Sequence, residues 1–202
     1  MRCFLTWGNY FTELFQNYNA GKRVKITSFG NPIFNQFDRS IYRYNEEKIV
    51  KILLVPSVIK KERLNALLSF SHHLKNKGYS VVLKEHKLQN KYGVEIADFA
   101  KENGNIIELL SERKYDLVIT DHSSVLLDAI FFKNRVLIFS APDSTEGFSK
   151  NIFSDYLGNL YDDYDFKQKQ LNVDISLKVN LKQQEDLFQS MIYLSDNNLN
   201  TL

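Results

Sequence analysis

The residues best suited to chemistry are Asp121-His122-Ser123-Ser124, which directly follow the apolar run Leu117-Val118-Ile119-Thr120. The pattern predicts a buried strand ending on a polar turn, then a helix that opens on a serine pair. A helix start presents N–H groups without intrahelical partners and a partial positive charge, so it suits phosphate. Serine is also a preferred N-cap, so Asp121 or Ser123 can equally be capping and nothing more. Both readings stand at this point. His122 is expected to be exposed scaffolding, and Asp128, one turn further on, helix support.

A second group is Lys84-Glu85-His86-Lys87, at the end of another apolar run. A histidine there can donate to a phosphate oxygen and a lysine adds charge; the plainer reading is a charged surface turn. Glu146-Gly147 follows a later apolar run, where a carboxylate can accept ribose hydroxyls or simply belong to an acidic loop. His72-His73 lie side by side on a predicted helix and point to different faces, which predicts a solvated helix rather than a joint metal site. The sequence contains no GxxxxGK[ST], GxGxxG, GxSxG or HExxH pattern. A single cysteine, Cys3, excludes an internal disulfide and a cysteine-based zinc site.

These groups sit in a chain of 202 residues with 44% hydrophobic and 25% charged residues, an ordinary globular composition. The net charge of +2 hides an asymmetry: residues 1–142 carry 21 Lys/Arg against 14 Asp/Glu, and residues 143–202 carry 5 against 10. A basic body suits an anionic small ligand, but no basic stripe interleaved with aromatics argues for nucleic acid. No apolar run approaches the ~20 residues that span a bilayer. The apolar start breaks at Gly8, too early for a signal peptide, so the cytoplasm is the expected compartment.

The elements that must position the chemistry follow from hydrophobic period. A short apolar run covers 2–7, a helix 11–18, and a strand 24–29 stopped by Gly30-Asn31-Pro32, with a loop over 38–48. Strands are predicted over 49–58, 79–83, 106–110, 117–120 and 136–139. Helices are predicted around Leu64–Leu74 with Gly78 as cap, over 94–103 and 125–132, and near 183–194. Residues 197–202 are expected to fray. The alternation from Ile49 to Asp143 argues for an α/β fold, a doubly wound, mostly parallel sheet with helices on both faces. Ligands of such folds bind at the carboxyl ends of strands, where Lys84–Lys87 and Asp121–Ser124 both fall.

In order along the chain, Trp7-Gly8, Gly30-Asn31-Pro32, Lys84-Glu85-His86, Asp121-His122-Ser123-Ser124 and Pro142-Asp143 carry a resemblance. The chain resembles the carboxyl-terminal half of a GT-B glycosyltransferase-like protein, of the CDP-glycerol glycerophosphotransferase family and related CMP-sugar transferases of capsule and cell-surface polysaccharide synthesis. In that pattern a proline follows the histidine; here Lys87 stands in its place. The resemblance implies a Rossmann-like donor-binding domain over 46–165, preceded by a crossing segment (1–45) and followed by a helical tail (166–202). It implies that His86, Ser123 and Ser124 bind the donor nucleotide's phosphates, and Lys84, Asp121 and Glu146 join them as candidate nucleotide- or phosphate-binding residues.

The resemblance further implies a CMP- or CDP-activated donor as substrate and a polysaccharide or polyol-phosphate acceptor; the sequence offers no convincing metal cluster, so no resident metal or cofactor is expected. It implies work in the cytoplasm, with peripheral association at the inner face of the membrane. GT-B enzymes act in a cleft between two lobes, and the lobe bearing the catalytic base usually comes first. The expectation is therefore a fragment of a longer enzyme or a truncated product, with the catalytic residue unassigned. Two alternatives are a non-catalytic nucleotide-binding or interaction module, and a UDP-sugar epimerase or transferase of the same architecture.

Overall fold

The computed structural model describes residues 2–6, 8–18, 24–56, 61–84, 100–121, 123–140, 153 and 156–192. The chain divides into two compact units, Arg43–Gln184 and a discontinuous one made of Met1–Tyr42 and Glu185–Leu202.

In the larger unit, strands β3 (Lys51–Val55), β4 (Ser80–Leu83), β5 (Ala100–Lys101), β6 (Leu117–Thr120) and β7 (Val136–Ile138) form one sheet, every neighbouring pair parallel. Their order is β5-β4-β3-β6-β7. Counted within this unit that is 3-2-1-4-5, the doubly wound order of a dinucleotide-binding half-sheet extended by its neighbours. Helices α2 (Lys61–Asn76), α3 (Ile106–Glu112) and α4 (Val125–Phe131) lie between the strands in the chain. The β3-to-β4 connection runs one way along the sheet and the β5-to-β6 and β6-to-β7 connections the other, so right-handed crossovers put α2 on one face and α3 and α4 on the other.

Burial explains why these short runs become strands. Ile52, Leu54, Val81, Leu83, Leu117, Ile119 and Leu137 share a core with Leu67, Phe70 and Leu74 of α2. The alternate residues Leu53, Val55, Val118, Val136 and Ile138 are buried as well. Period-two side chains buried on both sides mean a sheet covered on both faces. At the amino edge the Asp116 carboxylate accepts from the backbone N–H of Val50 (2.9 Å) and Lys51 (2.7 Å), fixing the start of β3 beside that of β6.

After β7 the chain makes a small antiparallel pair, β8 (Tyr164–Asp165) with β9 (Gln170–Leu171), then helices α5 (Ile175–Lys178) and α6 (Leu181–Met191). His73 on α2 is 8% exposed, and its Nε2 accepts from the Leu171 N–H at 3.2 Å. The solvated histidine pair expected from sequence is thus corrected at His73. It stands three residues after Phe70, on the buried stripe, whereas His72 is exposed.

The discontinuous unit contains β1 (Arg2–Thr6), α1 (Asn9–Tyr18) and β2 (Val24–Ser28), a parallel strand–helix–strand unit with Thr6 opposite Ser28. Gly30, at φ 93°, takes the left-handed conformation that glycine tolerates, and the Asn31 side chain accepts from the Ile33 N–H at 3.0 Å to complete the turn. In this same unit Arg39 pairs with Glu185 at 2.7 Å and lies over the Phe188 ring, 4.2 Å from its centre.

Two further expectations are corrected. Ile106–Leu110 is helix, not strand: the Asn105 side chain accepts from the Ile107 N–H at 2.9 Å as N-cap, and Leu109 and Leu110 turn inward together. The expected helix over 94–103 is strand at Ala100–Lys101, where Val82 pairs with Ala100; its first six residues lie outside the described residues. Residues 197–202 also lie outside them.

Candidate functional site

In a doubly wound sheet the ligand crevice opens where the strand order reverses. Here that point lies between β3 and β6, with β4 on the other side of β3. The register places Leu54 opposite Leu83 and Val55 opposite Thr120, so the carboxyl ends of β4, β3 and β6 finish level. The Thr120 hydroxyl, fully buried, donates to the Val55 carbonyl and ties the two strand ends that border the crevice. Lys84 is held at the edge by its own N–H, which donates to the Leu54 carbonyl at 2.8 Å, and Phe139 N–H donates to Thr120 O at 2.9 Å.

Two sequence-predicted groups therefore flank β3 at one edge. Lys84 follows β4, and Asp121, Ser123 and Ser124 follow β6. Two strand spacings separate them, about 10 Å. Asp121 is buried directly beyond the strand, Ser123 is half-buried and Ser124 exposed. Ser124 has helical backbone angles (φ −58°, ψ −22°), and its side chain makes no capping hydrogen bond. Ser123 takes the capping role weakly, its hydroxyl accepting from the Val125 N–H at 3.4 Å. The two serines differ, one half engaged with the helix and one presented to solvent.

His86, His122 and Glu146 lie outside the described residues, as do Trp7 and Pro142-Asp143. Among the described residues no group of three His, Cys, Asp or Glu side chains could hold a metal ion, and no helix is long and apolar enough to cross a membrane.

Sequence reasoning treated Asp128 as helix support and passed over its ionisation. It stands in the first turn of α4, partly buried, and burial pushes its carboxyl up from 3.8 to about 6. The available signal was its place between Leu127 and Ala129, both buried. Arg135 was also missed. Only 7% exposed, it donates from Nε to the Asp116 carbonyl (2.8 Å) and from Nη1 to the Glu47 carbonyl (2.7 Å).

No family model matches the chain, and no curated protein matches it. Among solved structures, the wall teichoic acid polymerase TagF, soaked with CDPG, is 19% identical with a TM-score of 0.53, over 93% of this chain and 53% of that one. A second structure of a TagF variant is 17% identical with a TM-score of 0.51, over 95% and 54%. KpsC of Thermosulfurimonas dismutans, a beta Kdo 2,4 transferase, is 14% identical over 92% and 63%, at a TM-score of 0.38 too low to argue from. The chain spans about half the length of the TagF chains it matches. At this identity the likeness establishes the α/β, Rossmann-like fold.

Proposed function

We propose that this chain is the donor-nucleotide-binding half of a cell-surface polysaccharide glycosyltransferase or glycerophosphotransferase that uses a CMP- or CDP-activated donor. The observation that carries the reading is the placement of Lys84 and of Asp121, Ser123 and Ser124 on either side of β3, at the switch point of a 3-2-1-4-5 sheet. The TagF fold likeness supports it in kind, TagF having been soaked with CDPG.

In this reading the acceptor hydroxyl attacks the transferred phosphorus or anomeric carbon, and the bond to the nucleotide phosphate breaks. The leaving phosphate gains negative charge as that bond lengthens. Lys84 and the Ser124 hydroxyl would meet it, with His86 and Glu146 completing the nucleotide contacts. No resident metal or cofactor is invoked. The base that deprotonates the acceptor is unassigned. Work at the inner face of the cytoplasmic membrane, beside a further lobe, belongs to the same proposal.

The test is calorimetric titration of the full chain with CMP, CDP, UMP and ADP. Cytidine nucleotides should bind most tightly, and Ser124→Ala should weaken CDP about tenfold, near 1.4 kcal/mol, with the thermal transition unchanged. Unchanged CDP affinity in Ser124→Ala sinks the clamp. A preference for uridine nucleotides favours a UDP-sugar epimerase or transferase, and binding of none favours an interaction module.

A further inference from the structure

Of the chain's asparagines, only Asn103 is followed by a glycine. The pair lies in the loop 102–105 between β5 and α3, where the backbone is neither helix nor strand. Asn103 is exposed, and neither its side chain nor the Gly104 N–H makes a hydrogen bond among the described residues. Glycine carries no Cβ to keep the preceding side chain off its nitrogen, and its backbone turns freely. The Asn103 amide and the Gly104 nitrogen are therefore placed to react with each other.

Asn105, two residues on and also exposed, differs in both respects. The β-branched Ile106 follows it, and its Oδ1 is spent on the Ile107 N–H at 2.9 Å as the cap of α3. Its carbonyl accepts from the Leu109 N–H at 3.0 Å. The other end of the loop is anchored too. The Glu102 N–H donates to the Leu83 carbonyl at 2.9 Å, and the Glu102 carboxylate accepts from the Tyr115 hydroxyl at 2.6 Å. Between these anchors the chain lies close on the helix it enters, since a Cβ at Gly104 would stand 3.3 Å from the buried Leu109 side chain.

We propose that Asn103-Gly104 is a self-modifying site, at which Asn103 converts to isoaspartate and loosens the seat of α3. The Gly104 nitrogen, losing its proton to solvent base, bonds to the Asn103 side-chain carbonyl carbon. The bond from that carbon to the side-chain nitrogen breaks, and ammonia leaves. Water then opens the succinimide ring. Opening at the side-chain carbonyl gives aspartate, and opening at the main-chain carbonyl gives isoaspartate, with the chain running through the side chain. The sum is water in and ammonia out, with nothing oxidised or reduced. Isoaspartate adds a methylene to the main chain between two anchored ends and sets a carboxylate beside Glu102. The site stands apart from the nucleotide reading.

The experiment ages the full chain at mildly alkaline pH and maps the tryptic peptide Glu102–Arg113 by fragmentation that separates aspartate from isoaspartate. Position 103 should convert first, with isoaspartate in excess, while Asn105 in the same peptide stays intact. Gly104→Ala, whose Cβ meets the flexible Leu109 side chain, should slow conversion about tenfold. Both chains are also aged in urea, so the comparison holds even where the variant folds poorly. On the aged parent, the Leu109 and Leu110 amides should exchange with deuterium faster than on fresh protein. Asn103 reactive in urea but protected in the folded chain, Asn105 converting as fast as Asn103, or isoaspartate formed with exchange in α3 unchanged would each overturn the proposal.

Discussion

Replacing Asp128 with asparagine should stabilise the protein at neutral pH, and the size of the gain follows from where the carboxyl sits. Burial raises its pKa from 3.8 to about 6, with no compensating hydrogen bond or ion pair among the causes. The folded chain therefore holds this proton more tightly than the unfolded chain does. Stability from this group is full below about pH 3.8, falls as pH rises towards 6, and is flat above. A difference of about 2 units at ~1.4 kcal/mol each gives an upper bound near 3 kcal/mol. A carboxylate in the first turn of a helix recovers some of this, ~0.3–1 kcal/mol, so the expected gain is about 2 kcal/mol.

Urea unfolding followed by circular dichroism, at pH 7.5 and pH 4, measures it. Asp128→Asn should unfold at higher urea than the parent at pH 7.5, with similar slope, and the gap should close at pH 4. A variant less stable at pH 7.5, or a gap that does not shrink on acidification, refutes the reasoning. Asp128 stands one turn beyond Ser124, and a partly buried carboxylate with no ion pair among the described residues, kept at a cost in stability, is the pattern expected near a working site.

His73 acts with the opposite sign. Burial is the main cause holding its pKa below 6.5, so its contribution is present above that value and fades as pH falls through and below it, by at most ~1.4 kcal/mol per pH unit. His73→Gln, whose amide can accept from Leu171 without titrating, should flatten that slope in the same urea assay; an unchanged slope acquits His73. Thr120→Val removes the hydroxyl that ties β6 to β3 and should lower stability by about 1–3 kcal/mol, read as an earlier urea midpoint and weaker CDP binding. Gly8→Ala would bring a Cβ within 2.0 Å of the Met191 carbonyl oxygen, a backbone atom, so a loss of about 1–3 kcal/mol or more is expected in thermal melting.

Sequence reading located β6 and α4 almost to the residue, because Leu117–Thr120 and Val125–Phe131 carry their own period and burial. It failed at Ile106–Glu112, where two isoleucines and two leucines read as strand and the deciding residue was the cap, Asn105. The strand-end positions of Lys84 and the serine pair were legible because strand ends are predictable from apolar runs. Their arrangement around β3 was not, since strand order depends on pairings such as Val55 with Thr120, distant in sequence. Arg135 left no pattern, its role being set by carbonyls at Glu47 and Asp116 that only folding brings near. His73 was read as solvated because the residue it accepts from, Leu171, is distant in sequence and only folding brings it near.

The pairing of Arg39 with Glu185 spans 146 positions of chain, inside a unit assembled from both terminal stretches. A ribosome releases the first stretch long before the second. During synthesis Phe34 and Arg39 emerge without the Phe188 ring on which they come to rest, while Arg43–Gln184 is already complete enough to fold. The stretch Met1–Tyr42, made before Arg43–Gln184, is thus completed only after it, and refolding from denaturant should show it as a separate, slower phase than closure of the parallel sheet.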